Sequence, residues 1–227
     1  MGGVCYKKSP HKLLRRKQYR MADSLPDCTK LSSRFIIGKL SNCRSVVRRY
    51  ESDYPDLAKR NDSKHVRNEL ASGIIRLSKT QSLEEVRGIE GEMARLYFSF
   101  FDHMILTHKD SFYMTGRTRR PPLDKVNALL SFFYTLLSHE TKSALETVGL
   151  DPYVGFLHWD RPGRASLSLD LMEEFRPYMV DRLVLSLINR KQISSEDFIT
   201  KVSGGVILLP RWPYDNLGAN IMFTGFS

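Results

Sequence analysis

Apolar positions in this chain recur every three or four residues, and a period of two is hardly seen, so the pattern predicts a mainly helical protein. Residues 29–50 carry Phe35, Leu40, Val46 and Val47 at helical spacing among Arg and Lys. Residues 51–64 are polar and contain Pro55, which predicts a loop or a short irregular helix. Ser82-Leu-Glu-Glu85 then forms a capping-box pattern, with Ser82 at the N-cap and Glu85 three positions on. It opens a stripe of Val86, Ile89, Met93, Tyr97, Phe101 and Ile105, beside which Gly91 and Ala94 are small enough to admit another helix.

A basic loop comes next at 114–122, Met-Thr-Gly-Arg-Thr-Arg-Arg-Pro-Pro. Asp124 reads as the N-cap of a helix to about Val148, buried through Val126, Leu129, Leu130, Phe133, Leu137 and Leu145. Gly149 stands at its C′ position and Pro152 at its stop. Residues 165–175 start a carboxylate-rich helix that Pro177 ends or kinks. A further helix to about Asn189 turns Met179, Leu183 and Leu187 inward. Gly204-Gly-Val-Ile-Leu-Leu-Pro210 could form a short strand, and no sustained period is seen after Arg211.

With 227 residues, one domain is expected, and no apolar run approaches the roughly 18 residues of a membrane span. Cys5, Cys28 and Cys43 are odd in number and form no Cys-x-x-Cys pair, which suits a reducing cytoplasm better than a disulfide framework or a zinc ribbon. The net charge of +10 changes the picture through its distribution. Residues 1–80 hold 19 Lys/Arg and 7 Asp/Glu, whereas residues 81–227 hold 16 and 18. A basic front beside an acidic centre suits an enzyme of nucleic acid, the front neutralising backbone phosphates. The same charges could instead form a solvated face without a partner.

The acidic centre is the run from Gly149 to Arg176. It places His158 about a dozen residues ahead of Asp170, Glu173 and Glu174, which share roughly one helical face. A divalent ion is one way to neutralise so dense a group beside an apolar stripe, and it would make this a site of phosphate chemistry. Glu90 is either a tolerated boundary residue of its helix or an inward carboxylate. Ser166 and Ser168 lack the Gly-x-Ser-x-Gly setting of a nucleophile.

Several motifs in order carry a resemblance to a known family: Arg15-Arg-Lys-Gln-Tyr-Arg-Met-Ala-Asp23, Arg87-Gly-Ile-Glu90-Gly, Gly116-Arg-Thr-Arg-Arg-Pro-Pro-Leu-Asp124, Asn127-Ala-Leu-Leu-Ser131, and Gly149 to Pro177. In these the chain resembles the CRISPR-associated adaptation endonuclease, the integrase that inserts new spacers into CRISPR arrays, in a type I-C-like form. The resemblance covers about residues 13–203. It implies an all-helical catalytic domain there, with residues 1–12 a disordered lead-in, residues 204–227 a divergent tail, and the family's N-terminal β-rich domain largely missing. On this reading the chain is truncated at both ends. The resemblance also implies that Glu90, His158 and Glu173 hold Mn²⁺ or Mg²⁺ and are the catalytic residues, with Asp170 a carboxylate near the site. Oxygen donors with one imidazole agree with those ions. Arg87, Arg117, Arg119, Arg120, Arg161 and Arg164 are the candidate DNA contacts, since guanidinium pairs well with phosphate. DNA, a second copy of the chain and the small adaptation partner protein are the partners implied. The alternative is an inactive DNA-binding remnant of that enzyme.

Overall fold

The structure, a computed structural model, describes residues 10–159, 161–202 and 204–209. Among these the chain is almost wholly helical. The helices are α1 (Pro10–Ala22), α2 (Leu25–Asp53), α3 (Pro55–Arg60), α4 (Ser63–Lys79), α5 (Leu83–Phe101), α6 (Lys125–Thr147), α7 (Ser166–Phe175) and α8 (Arg182–Asn189). A π-helical segment, Arg176–Asp181, joins α7 to α8. Two three-residue strands, β1 (Phe198–Thr200) and β2 (Val206–Leu208), pair antiparallel with Phe198 opposite Leu208. The described residues include no helix long and apolar enough to cross a membrane.

α2 is the organising element. At 29 residues it packs against α4, α5 and α7 together, and buries Ile36, Leu40, Cys43, Val46, Val47 and Tyr50. Ser24 caps it, accepting a hydrogen bond from Asp27 N at 3.4 Å. Each of its buried aliphatic side chains contributes roughly 1.5–3 kcal/mol relative to exposure. Ile36 is sealed in the core, whereas Phe35, expected inward, is only partly buried.

Local chemistry sets the starts of α2, α5 and α6. Asp124 accepts from Asn127 N at 2.7 Å and from Asn127 Nδ2 at 2.6 Å, capping α6, whose expected apolar face is all buried. Gly149 takes a φ of +83° past the end of α6, a conformation that favours glycine. At α5 only half of the expected capping box forms. Ser82 accepts from Glu85 N, but the Glu85 carboxylate turns to the Thr80 hydroxyl instead of the Ser82 amide.

Several expectations need correction. α1 begins at Pro10, inside the segment read as a disordered lead-in, and α4 occupies residues with no predicted element. The buried stripe of α4 gives little signal because it is narrow, Val66, Leu70, Gly73 and Leu77, and has a glycine in its middle. That glycine admits α5: a Cβ there would lie 2.8 Å from Met93 Sδ, while Gly91 meets nothing within 4 Å. Ile105 is buried, but beyond the end of α5, after a 3₁₀ turn at Asp102–Met104. Met179 is 52 % exposed because the π segment rotates the register after Pro177, leaving Val180 and Val184 to face inward. No sequence pattern predicts β1, while β2 falls in the glycine-flanked apolar run of the tail. The rest of the tail, 210–227, and residues 1–9 lie outside the described residues.

Candidate active site

His158 is placed by Asp170. The Asp170 carboxylate is sealed from solvent and accepts four hydrogen bonds. Three come from backbone amides: Phe156 N at 2.6 Å, Leu157 N at 2.9 Å and His158 N at 3.1 Å. The fourth joins its Oδ1 to His158 Nδ1 at 2.5 Å. An ionised carboxylate only accepts, so Nδ1 carries the proton and Nε2 is the nitrogen left to meet a ligand. Gly155 permits the approach, because a Cβ there would lie 2.7 Å from Ser166 Cβ and 2.8 Å from Asp170 Oδ2.

α1 holds the same loop from its other side. Gln18, buried at 4 %, donates to Asp151 O at 2.7 Å and Val154 O at 2.9 Å, and accepts from Asp151 N at 2.9 Å. Arg15 Nε donates to Gly149 O at 3.0 Å, and Tyr19 donates to the Asp151 carboxylate at 2.8 Å. The segment that begins the family resemblance is thus a strap for the histidine loop. The sequence gives Gln18 no visible role within that motif, because the role needs partners more than 130 residues away.

Glu90, His158 and Glu173 line one pocket of about 160 Å³, with Arg87, Arg119, Arg164, Leu157 and Trp159. Glu90 is therefore an inward carboxylate at the edge of the core, its side chain 27 % exposed. Glu173 is buried. Glu174 is not among the residues lining this pocket: it lies against Gly38 of α2, next to the Lys39 that Glu173 meets, and its carbonyl accepts from Asn42 Nδ2 at 2.8 Å.

Lys39, on α2, sits between the two glutamates. Its ammonium touches Glu90 Oε1 and lies 2.7 Å from Glu173 Oε2. The second contact is a buried, charge-assisted one, in which the Lys39 ammonium meets Glu173 Oε2. Glu173 Oε1 meets Arg176 Nη1 at 2.6 Å. Burial alone would raise the Glu173 pKa, but Arg176 and Lys39 outweigh it and hold the carboxyl at about 2. Burial would likewise lower the Lys39 pKa; Glu173 and Glu90 raise it instead. Nothing in the apolar pattern of α2 singles out Lys39. Arg176 lies inside the last motif of the resemblance, where its spacing suggests no role.

Among the described residues no three His, Cys, Asp or Glu groups stand in position to hold an ion as they are. The donor set nevertheless fits one: two carboxylates, an imidazole whose Nε2 is left for a ligand, and a buried glutamate oxygen met by the flexible Lys39 ammonium. The ammonium of Lys39 stands where the two carboxylates would share it.

The arginines divide. Arg119 and Arg164 line the pocket, and Arg120 and Arg161 are exposed nearby in sequence. Arg87 lies over the Trp159 ring at 4.4 Å and donates to Leu157 O at 2.6 and 3.0 Å, which steadies the residue before His158. Arg117 departs from expectation. Its guanidinium donates to Asn127 Oδ1 at 2.6 Å, to Ser131 Oγ at 3.2 Å and to Thr118 O, and lies over the Tyr134 ring at 5.3 Å. Burial lowers its pKa to about 10. It is committed to the interior, not presented to a phosphate.

The model of the family described as CRISPR associated protein Cas1 matches residues 1–211. The CRISPR-associated endonuclease Cas1 1 of Chlorobaculum tepidum is 50 % identical over 208 residues, 90 % of this chain and 61 % of that protein. A CRISPR-associated endonuclease Cas1 of Leptospira interrogans is 44 % identical over 189 residues, 83 % of this chain and 74 % of its own length. The chain thus spans about 61 % of the first relative's length. Among solved structures, a casposase bound to integration product superposes with a TM-score of 0.79 at 28 % identity, covering 92 % of this chain and 56 % of the casposase. A Cas6-RT-Cas1–Cas2 complex superposes at 0.77 and 26 % identity, over 92 % of this chain and 23 % of that one.

Proposed function

The chain belongs to the Cas1 family of CRISPR-associated proteins, and from that premise we propose that it is a metal-dependent DNA endonuclease and integrase, cutting and joining DNA to insert new spacers into a CRISPR array. The observation that carries this reading is the orientation of His158. A sealed Asp170 fixes the ring so that its free nitrogen can serve the pocket that Glu90 and Glu173 also line. Glu90, His158 and Glu173 would hold Mn²⁺ or Mg²⁺. Such an ion, when bound, supplies Lewis-acid polarisation of a phosphoryl oxygen and lowers the pKa of a hydroxyl nucleophile.

The chain's own groups do the remaining work. Asp170 keeps the proton on His158 Nδ1 and leaves Nε2 as a donor atom. Arg119 and Arg164 offer guanidinium groups to a phosphodiester entering the pocket, and Arg87 braces the loop through Leu157 O. The basic front, with Lys12, Arg16 and Lys17 exposed on α1, extends the phosphate-binding surface. DNA is the partner this arrangement supports most directly. A second copy of the chain, the small adaptation protein and a type I-C-like system belong to the same reading through the family resemblance. A reducing cytoplasm belongs to the same reading, and Cys28 and Cys43 are buried.

A second reading, a DNA-binding relative without catalysis, is favoured by one observation: Lys39 already neutralises both carboxylates. Cleavage and strand transfer on branched DNA with Mn²⁺ separates the two. Activity lost with EDTA, and in Glu90→Ala and His158→Ala, supports the enzyme. DNA binding that survives EDTA, with no product from the folded wild type, supports the second reading.

A further inference from the structure

Lys39 is more than a counter-ion. Its side chain is 7 % exposed, carried by the longest helix, and its ammonium contacts two acidic groups. Both are carboxylates that the proposed function assigns to a metal ion, so any further role for Lys39 rests on that reading. A single positive charge between two carboxylates does electrostatically part of what a divalent ion does. Because both oxygens lie against the same nitrogen, they are already drawn close together. Octahedral Mg²⁺ or Mn²⁺ needs neighbouring oxygen ligands on the order of 3 Å apart. The ammonium and the ion therefore require the same space.

The rest of the site is arranged for an exchange. Arg176 holds Glu173 by Oε1 at 2.6 Å, so Glu173 stays anchored if Lys39 leaves Oε2. Among the described residues Oε2 has no other donor, so departure of the ammonium frees it for a ligand. Glu90 is partly exposed, and the pocket on that side is open to solvent and lined by Arg119 and Arg164. The lysine stem is four carbons long and flexible, and its head can swing without backbone movement.

We propose that Lys39 is a built-in placeholder for the metal ion. It holds Glu90 and Glu173 together in the metal-free chain and must leave them before an ion binds. The observed affinity for the ion is then the intrinsic affinity reduced by the small fraction of molecules in which the lysine has moved aside. Lys39 is a positioning residue here, and its removal strengthens metal binding, whereas removal of a structural support would weaken it.

Calorimetric Mn²⁺ titrations of the full chain test this, with wild type, Lys39→Met, His158→Ala, and Lys39→Met combined with Glu90→Ala. Lys39→Met is expected to bind Mn²⁺ about tenfold tighter or more than wild type, by relief of the occupied state. The added Glu90→Ala is expected to abolish that gain. Thermal unfolding gives a second readout. Without its lysine the metal-free site leaves buried acid poorly neutralised, so Mn²⁺ should raise the midpoint of Lys39→Met by more than that of wild type. Unchanged or weaker Mn²⁺ binding by a folded Lys39→Met overturns the proposal. If that variant does not fold even with Mn²⁺, Lys39→Gln carries the same readout. Wild-type binding that disappears in His158→Ala but is unaltered in Lys39→Met would leave the functional reading intact and remove only the placeholder. Absence of Mn²⁺ binding through Glu90 in every folded variant would remove both.

Discussion

Asp170 shows how one buried side chain can organise a whole loop. Its four hydrogen bonds tie three consecutive amides and one imidazole to α7. Asp170→Asn keeps the size but loses the charge and one acceptor oxygen, so we expect Mn²⁺ affinity to fall about 10- to 100-fold by calorimetry. Gly155→Ala places a methyl 2.7 Å from Ser166 Cβ, and overpacking there is expected to cost about 1–3 kcal/mol in urea unfolding. At this scale His158, Asp170 and Glu173 are legible, because a histidine ahead of acids spaced by three is a local pattern. Spacing also groups Glu174 with Asp170 and Glu173, and it packs on α2 beside Glu173, but against Gly38 and not in the pocket.

Among the elements, caps and straps position the chemistry. Asp124 satisfies two nitrogens of Asn127 at the start of α6, so Asp124→Ala is expected to lose about 1–2 kcal/mol in chemical denaturation. α1 acts at a distance. Gln18→Ala removes the three hydrogen bonds that latch residues 151–154, and faster amide exchange in the 149–158 loop is the expected result. α5 and α6 are legible as amphipathic helices with clear caps. α4 and the π segment are not. A narrow stripe interrupted by Gly73 carries little periodic signal, and the register after Pro177 depends on how the unpaired backbone resolves itself.

For the molecule as a whole, buried charge makes stability depend on pH in two opposite ways. Burial raises the Asp181 pKa from 3.8 to about 6, although Tyr134 donates to it at 2.5 Å. An acid whose folded pKa is raised favours folding most below 3.8, and that contribution is lost as pH rises through about 6. Glu173, depressed from 4.5 to about 2, stabilises above 4.5 and loses this as pH falls through about 2. Relative to Asp181→Asn, wild type should therefore gain stability as pH drops from about 6 to 3.8, read from thermal midpoints of both proteins. The charge asymmetry also acts globally. DNA affinity should fall steeply with salt and be indifferent to EDTA, and Lys12→Ala with Arg16→Ala should reduce the salt slope by about 1–2.

The sequence by itself determined the helical class, the starts of α5, α6 and α7, and the residue types of the candidate site. Apolar period, caps and acid spacing act within a few residues of one another, and local backbone geometry converts them directly into faces. Only the tertiary structure decided which side chains meet. Lys39 stands 51 positions before Glu90, and Gln18 133 before Asp151. Their pairing depends on how α2 lies among α4, α5 and α7 and on where α1 crosses the histidine loop, and no local period encodes such crossings. Arg117 shows the same division, since its loop reads as a basic, phosphate-facing segment and packing against Tyr134 and Asn127 makes it an interior brace.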